Sequence, residues 1–190
     1  MHCCCCYHLK MKLEEMRYRE TQEQHFGKRG MSYHGTVIFA ARGAASTVAA
    51  QLYELDPGDA ARPYQMYFFD DLVRNSQQQD SVAAISLIEA SVARARVMFP
   101  EAKTMSFQAD NAAAYASPFI VFMLPLVCAA YGFRTTEYVH NEAGDGKTVL
   151  DGHFGIQTHM LKVRNIRDAR GTFAAGLADL ASCVLLHRPT

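Results

Sequence analysis

The order of hydrophobic patterns predicts an α/β fold: a mixed five-stranded sheet flanked by helices, with elements running β-β-β-α-β-α-β-α-α. Three observations carry this expectation. Three strand-like segments come first, joined by short links with turn signals. From residue 80 onward, helix-period and strand-period segments alternate. And 190 residues, 49% of them hydrophobic and 20% charged, suffice for one core without covalent staples.

The first strand is read in "YHLKMKL", with His8, Lys10 and Lys12 on one face. Glycines 27 and 30 mark a turn before a second strand from Met31 to about Arg42. Its run Val37, Ile38, Phe39, Ala40 is apolar on both faces, as suits a central strand. Pro57 and Gly58 signal the next turn, and "YQMYFFDDLV" the third strand. Short links make these three an antiparallel meander.

Asp80 then reads as the N-cap of a helix with Val82, Ile85, Ile88, Val92 and Ala95 at helical spacing and Pro100 as its stop. "KTMSFQAD" alternates, with Met105, Phe107 and Ala109 on one face and Thr104, Ser106, Gln108 and Asp110 on the other. Ser117 and Pro118 open a helix that ends at Gly132. "FRTTEYVH" is the fifth strand. A helix from about Thr148 to Val163 follows, and a last one from Thr172 to Leu186 carries Phe173, Leu177, Leu180 and Val184 on one stripe.

Composition narrows the function classes. Nineteen basic residues balance nineteen acidic ones, so bulk charge announces neither nucleic acid nor membrane, and any basic surface must be local. "PFIVFMLPLVCAAY" is shorter than the ~18 apolar residues of a membrane span. Pro125 inside it predicts a buried, kinked helix. Cys3 to Cys6 are consecutive, while Cys128 and Cys183 stand alone in apolar helices; this is no disulfide framework and points to a reducing compartment. The expected location is therefore nuclear or cytoplasmic, without a secretion signal. Neighbouring thiols point apart and do not converge easily on one tetrahedral ion. Residues 1–6 are therefore set aside as a cysteine-rich tail, and 7–188 as the single domain.

Three stretches stand out: "MRYRETQEQHFGKRGMSYHG", "FQADNAAAY" and "GDGKTVLDGHFG". Together they resemble a group of transposase-derived proteins of protist and other eukaryotic genomes, with a ribonuclease H-like, integrase-type core. The resemblance covers roughly Lys10 to Arg164. It implies DNA cleavage and strand transfer, with DNA as partner and carboxylates on separate elements holding two Mg2+ (or Mn2+) ions. By position it implies Asp110 and Asp151 as metal ligands, with Glu142 as a third candidate catalytic carboxylate. The family pattern has an aspartate where this chain has His8, and no aspartate precedes Asp56. Magnesium prefers oxygen donors, so the resemblance implies a degenerate site.

The residues also admit plainer readings. Asp110 lies at the polar, C-terminal end of its strand, where open α/β sheets place ligands, but Asp110-Asn111 is also a turn-forming pair. Thr148 and Asp151 have the spacing of a capping box. Gly152 and Gly155 each cost about 1 kcal/mol against alanine in a helix, which predicts close approach of the sheet or a ligand. Gly146-Lys147-Thr148 sits between strand and helix like the end of a P-loop, but position 141 is asparagine rather than glycine. Lys28, Arg29, Lys147, Lys162 and Arg164 are candidate phosphate contacts, with weak and salt-dependent binding expected. His140, His153 and His159 lack zinc-ligand spacing and read as hydrogen-bonded structural residues. A non-catalytic nucleic-acid-binding or interaction scaffold is the alternative function, and self-association is compatible with either.

Overall fold

A computed structural model describes residues 2–13, 31–46, 63–73, 80–141 and 149–167. Side chains are described for these residues apart from 5–13, 31, 72 and 160–167. Within this set the strands are β1 (His2–Leu13), β2 (Met31–Ala41), β3 (Tyr64–Val73), β4 (Thr104–Ala109) and β5 (Arg134–His140). The helices are α1 (Ser81–Met98), α2 (Pro118–Ala130) and α3 (Val149–Arg167). The chain is thus α/β, with one mixed five-stranded sheet in the order β3-β2-β1-β4-β5.

β4 pairs in parallel with both β1 and β5. Arg42, just after β2, donates its N–H to the carbonyl of Pro63, just before β3 (3.1 Å), and the Phe39 and Tyr64 rings meet at 5.7 Å. The end of one strand therefore meets the start of the next, and β2 and β3 run antiparallel as expected, although the link between them, residues 42–63, is not short. β1 begins earlier than the sequence pattern implies. The cysteines set aside as a tail are strand residues, with Cys3 opposite Met105 and Cys6 opposite Gln108. A thiol is small and nearly apolar, and fits a buried strand when a neighbouring strand accepts it; Cys3 is fully buried.

Two compact units are distinguished: Met1–Leu9, Thr36–Phe69 and Gln79–Gly146 form the first, and Lys10–Gly35, Asp70–Gln78 and Lys147–Thr190 the second. The first holds the main core, in which Ile38, Tyr67, Ile88, Val92, Met98, Phe99, Met105, Phe107, Tyr115 and Leu124 are buried together. α1 starts where Asp80 accepts the Ala83 N–H (2.8 Å), a cap that stabilises by about 1 kcal/mol. Its last turn carries Arg96, whose guanidinium donates to the carbonyls of Tyr131 (2.7 Å), Pro100 (2.8 Å) and Gly132 (3.0 Å). The same group lies 3.9 Å from the centre of the Phe133 ring. One side chain thus ties the end of α1 to the end of α2 and the approach to β5.

α2 opens as expected, with Ser117 accepting the Phe119 N–H (3.2 Å) and Pro118 in the first turn. Gly132, at φ +74°, ends it in a conformation that costs glycine nothing. The expectation of a buried helix is not met. Only Ile120, Leu124 and Cys128, spaced four apart, are buried. Phe122 is 76% exposed and Leu126 63%. Composition reports how apolar a helix is, not how many of its sides find a partner.

Candidate functional site

In the first unit, β4 ends at Ala109 and the chain turns at Asp110, whose carboxylate Oδ1 accepts the Ala112 N–H at 3.3 Å. This is the local turn bond that an Asp-Asn pair offers. On one side, Ala109 is opposite His140 of β5, and the Asn141 N–H donates to the Ala109 carbonyl (3.0 Å). Gln108 Nε2 donates to Asn141 Oδ1 at 2.7 Å. On the other side, Ala109 is opposite Tyr7 of β1, so the backbone of His8, the next residue, stands beside that of Asp110 on the neighbouring strand. On three adjacent parallel strands, Tyr7, Ala109 and His140 therefore stand at one level, and Asp110 is the next residue on the middle one.

Around them, Tyr138 donates its hydroxyl to the Tyr115 carbonyl (2.9 Å). Burial, and then the negative charge of Asp110, hold the Tyr138 phenol well above its ordinary pKa. The carboxylate is thus electrostatically close to the Tyr138 ring, and His140 packs edge-on against that ring at 4.4 Å. His140 Nδ1 is buried and has no hydrogen-bond partner among the described residues. The expectation of a hydrogen-bonded structural histidine therefore fails at this nitrogen. A buried orphan of this kind calls for an ion, a water or a ligand.

The second unit contains a different constellation. Asp70, at the far end of β3, accepts the Tyr33 hydroxyl on Oδ1 (2.7 Å), and its Oδ2 lies 2.8 Å from His153 Nε2 on α3. Tyr33 is 1% exposed; burial and the Asp70 charge push its phenol far above the ordinary value. The neighbouring pair, His34 and Asp71, approaches to 3.8 Å. A buried carboxylate costs several kcal/mol unless hydrogen-bonded, and here two donors meet it. Sequence reading passed over this cluster, although two aspartates inside "YFFDDLV" were a signal that a strand would bury charge.

Asp151 lies in the first turn of α3 and is exposed. The glycines after it do not mark a close approach: a Cβ on Gly152 or Gly155 would meet no atom within 4 Å. The tight contact is instead at Gly35 on β2, where a Cβ would stand 2.3 Å from Phe154 Cζ. Asp110 belongs to the first unit and Asp151 to the second. Glu142, Lys28, Arg29 and the P-loop-like Gly146-Lys147-Thr148 lie outside the described residues, and so do the side chains of Lys162 and Arg164 on α3. Among described side chains, no three His, Cys, Asp or Glu groups are placed to hold one metal ion. No described helix is long and apolar enough to cross a membrane.

No family model matches the chain, and no curated protein matches it. A chain of the cryo-EM structure of the simian T-cell lymphotropic virus intasome in complex with PP2A regulatory subunit B56 gamma is similar over 97% of the present chain, with 15% identity and a TM-score of 0.42. The present chain spans 50% of the length of that one.

Proposed function

We propose that this chain is a ribonuclease H-like, integrase-type domain descended from DNA transposases, which keeps the scaffold and binds nucleic acid but has lost magnesium-dependent strand cleavage. One observation carries the reading. Asp110 ends a strand whose parallel neighbour presents His8 at the adjacent position. The transposase-like stretches of the sequence call for an aspartate there. Two Mg2+ ions bring four positive charges and demand oxygen donors. An imidazole supplies neither the charge nor the bridging oxygen pair, so the residues present do not fit the ion pair.

Binding in this reading is through phosphate contacts from Lys28, Arg29, Lys147, Lys162 and Arg164, and is weak and salt-dependent because the net charge is zero. The test is a labelled-DNA assay of the purified chain with Mg2+ or Mn2+, alongside binding measured at two salt concentrations. Binding without cleavage, weakening steeply with salt, is expected. Robust cleavage abolished by Asp110→Asn would show an intact site and overturn the loss of catalysis. No detectable binding at low salt would refute the nucleic-acid role. The exposed face of α2, with Phe119, Val121, Phe122 and Leu126 outward, favours protein interaction as the second reading.

A further inference from the structure

We infer that two copies of this chain associate by pairing their β5 strands edge to edge and antiparallel across a two-fold axis, with their α2 helices side by side on one face of the joined sheet. β5 stands at the end of the strand order, so among the described residues one of its edges is unpaired. An open edge offers a row of N–H and C=O groups, which proteins guard with charged side chains and bulges. β5 has both guards. Arg134 and Glu137 are exposed. A bulge falls at Thr136, since Met105 is opposite Thr135 and the next residue, Ser106, is opposite Glu137. The Thr136 hydroxyl donates to the Met105 carbonyl at 3.1 Å and holds the extra residue in place. A guard of this kind admits a partner that answers it and rejects others.

The strand answers itself. Residues facing each other on neighbouring strands point to the same side of the sheet. Thr104 and Ser106 share a side, and they are opposite Arg134 and Glu137. The bulge therefore turns both charges to one side, whereas in a regular strand their odd spacing would set them on opposite sides. An antiparallel pair with its axis between Thr135 and Thr136 then sets Arg134 against Glu137 of the partner subunit, and by symmetry the reverse. Thr135 meets Thr136 of the partner subunit. Opposite charges and paired threonines are among the cross-strand pairs that stabilise a sheet. A register centred on Glu137 would instead set two carboxylates against each other. Thr135 and Tyr138 point to the other side, opposite Met105 and Phe107, whose core α2 joins through Ile120 and Leu124. A groove of about 510 Å3 runs there between α2, at Val121, Pro125 and Ala129, and β5, at Thr135 and Tyr138. α2 has no charged side chain in its 13 residues. Phe122 and Leu126 on it are exposed. A face without charge is matched by another without charge, and the two-fold axis brings α2 of the partner subunit alongside, antiparallel. Strand and helix both belong to the first unit. The inference gives the protein-interaction reading of α2 its partner. Its test uses no nucleic acid, so self-association and nucleic-acid binding can fail separately.

The experiment is sedimentation equilibrium of the purified full chain over a range of concentrations, with charge-swap variants. We expect a monomer–dimer equilibrium with a dissociation constant of about 1–100 µM, the weak class for a small interface. Arg134→Glu and Glu137→Arg each set like charges opposite each other twice, and should weaken the dimer by at least about tenfold. Both substitutions in one chain should restore it. Mixing the two single variants in equal amounts should also restore it, as a heterodimer, because each then supplies the charge that the other lacks. Phe122→Lys, at an exposed position of α2, should weaken the dimer and leave the melting temperature of the dilute chain unchanged. If a swapped chain does not fold, Phe122→Lys decides: it must lower the dimer fraction. A monomer at about 200 µM would overturn the inference. So would a dimer indifferent to the swaps or to Phe122→Lys, or folded single variants that stay monomeric when mixed.

Discussion

Replacing Arg96 with alanine removes a side chain that bonds the end of α1 to the end of α2. Its guanidinium makes three charged hydrogen bonds to backbone carbonyls, at 2.7, 2.8 and 3.0 Å. The bond to Tyr131 is partly buried; those to Pro100 and Gly132 are exposed, and water can replace them in the variant. A charged bond contributes about 1.5–3 kcal/mol where water cannot substitute. The exposed two contribute roughly 0.5 kcal/mol each, and the stack on Phe133 at 3.9 Å about 0.5–1 kcal/mol. Arg96→Ala should therefore destabilise by about 3–5 kcal/mol. For a chain of this size that lowers the melting temperature by roughly 6–20 °C. Arg96→Lys, which keeps the charge but loses the planar fork, should recover less than half. Urea unfolding of the three proteins, with equal m-values, measures it. A loss below about 1 kcal/mol for alanine would show that the helix ends are held by other groups and refute the reasoning.

Three further outcomes follow from the packing. Gly35→Ala should cost about 1–3 kcal/mol, because its methyl would stand 2.3 Å from Phe154 Cζ; Phe154→Leu in the same chain should relieve most of it, and additive losses in a melting assay would contradict the contact. Tyr33→Phe and His153→Ala should each destabilise by about 1–3 kcal/mol by stripping a donor from Asp70, and a double-mutant cycle should show coupling; strict additivity would mean that Asp70 does not join them. Burial raises the Cys3 thiol from 9.0 to about 11, so the folded chain keeps a proton that the unfolded chain has lost. Stability should then fall as the pH rises through that interval, and Cys3→Val should flatten this part of the profile in urea titrations; an unchanged slope would refute it.

Much of the fold was legible because it is local. The caps at Asp80 and Ser117, the stop at Gly132 and the patterns of β2 to β5 depend on neighbours a few residues away, and each forms where its residues call for it. So did the placement of Asp110 at a strand end, since alternation and a turn pair both point there. The start of β1 was not legible: a run of four cysteines has no alternation to read, and it becomes a strand only because β4 offers it a partner. The outward face of α2 was not legible either, since hydropathy does not say which sides of a helix are covered.

What the sequence by itself determined is therefore the inventory: an α/β order of elements, most of their ends, and an aspartate at the end of the fourth strand. The tertiary structure alone decided who stands beside whom. Register between parallel strands put Tyr7 and His140 on either side of Ala109, and the antiparallel course of β2 and β3 put Tyr33 against Asp70. Strand pairing joins residues at separations that no periodicity encodes, because a one-residue slip would exchange every facing side chain while leaving each strand's own pattern intact.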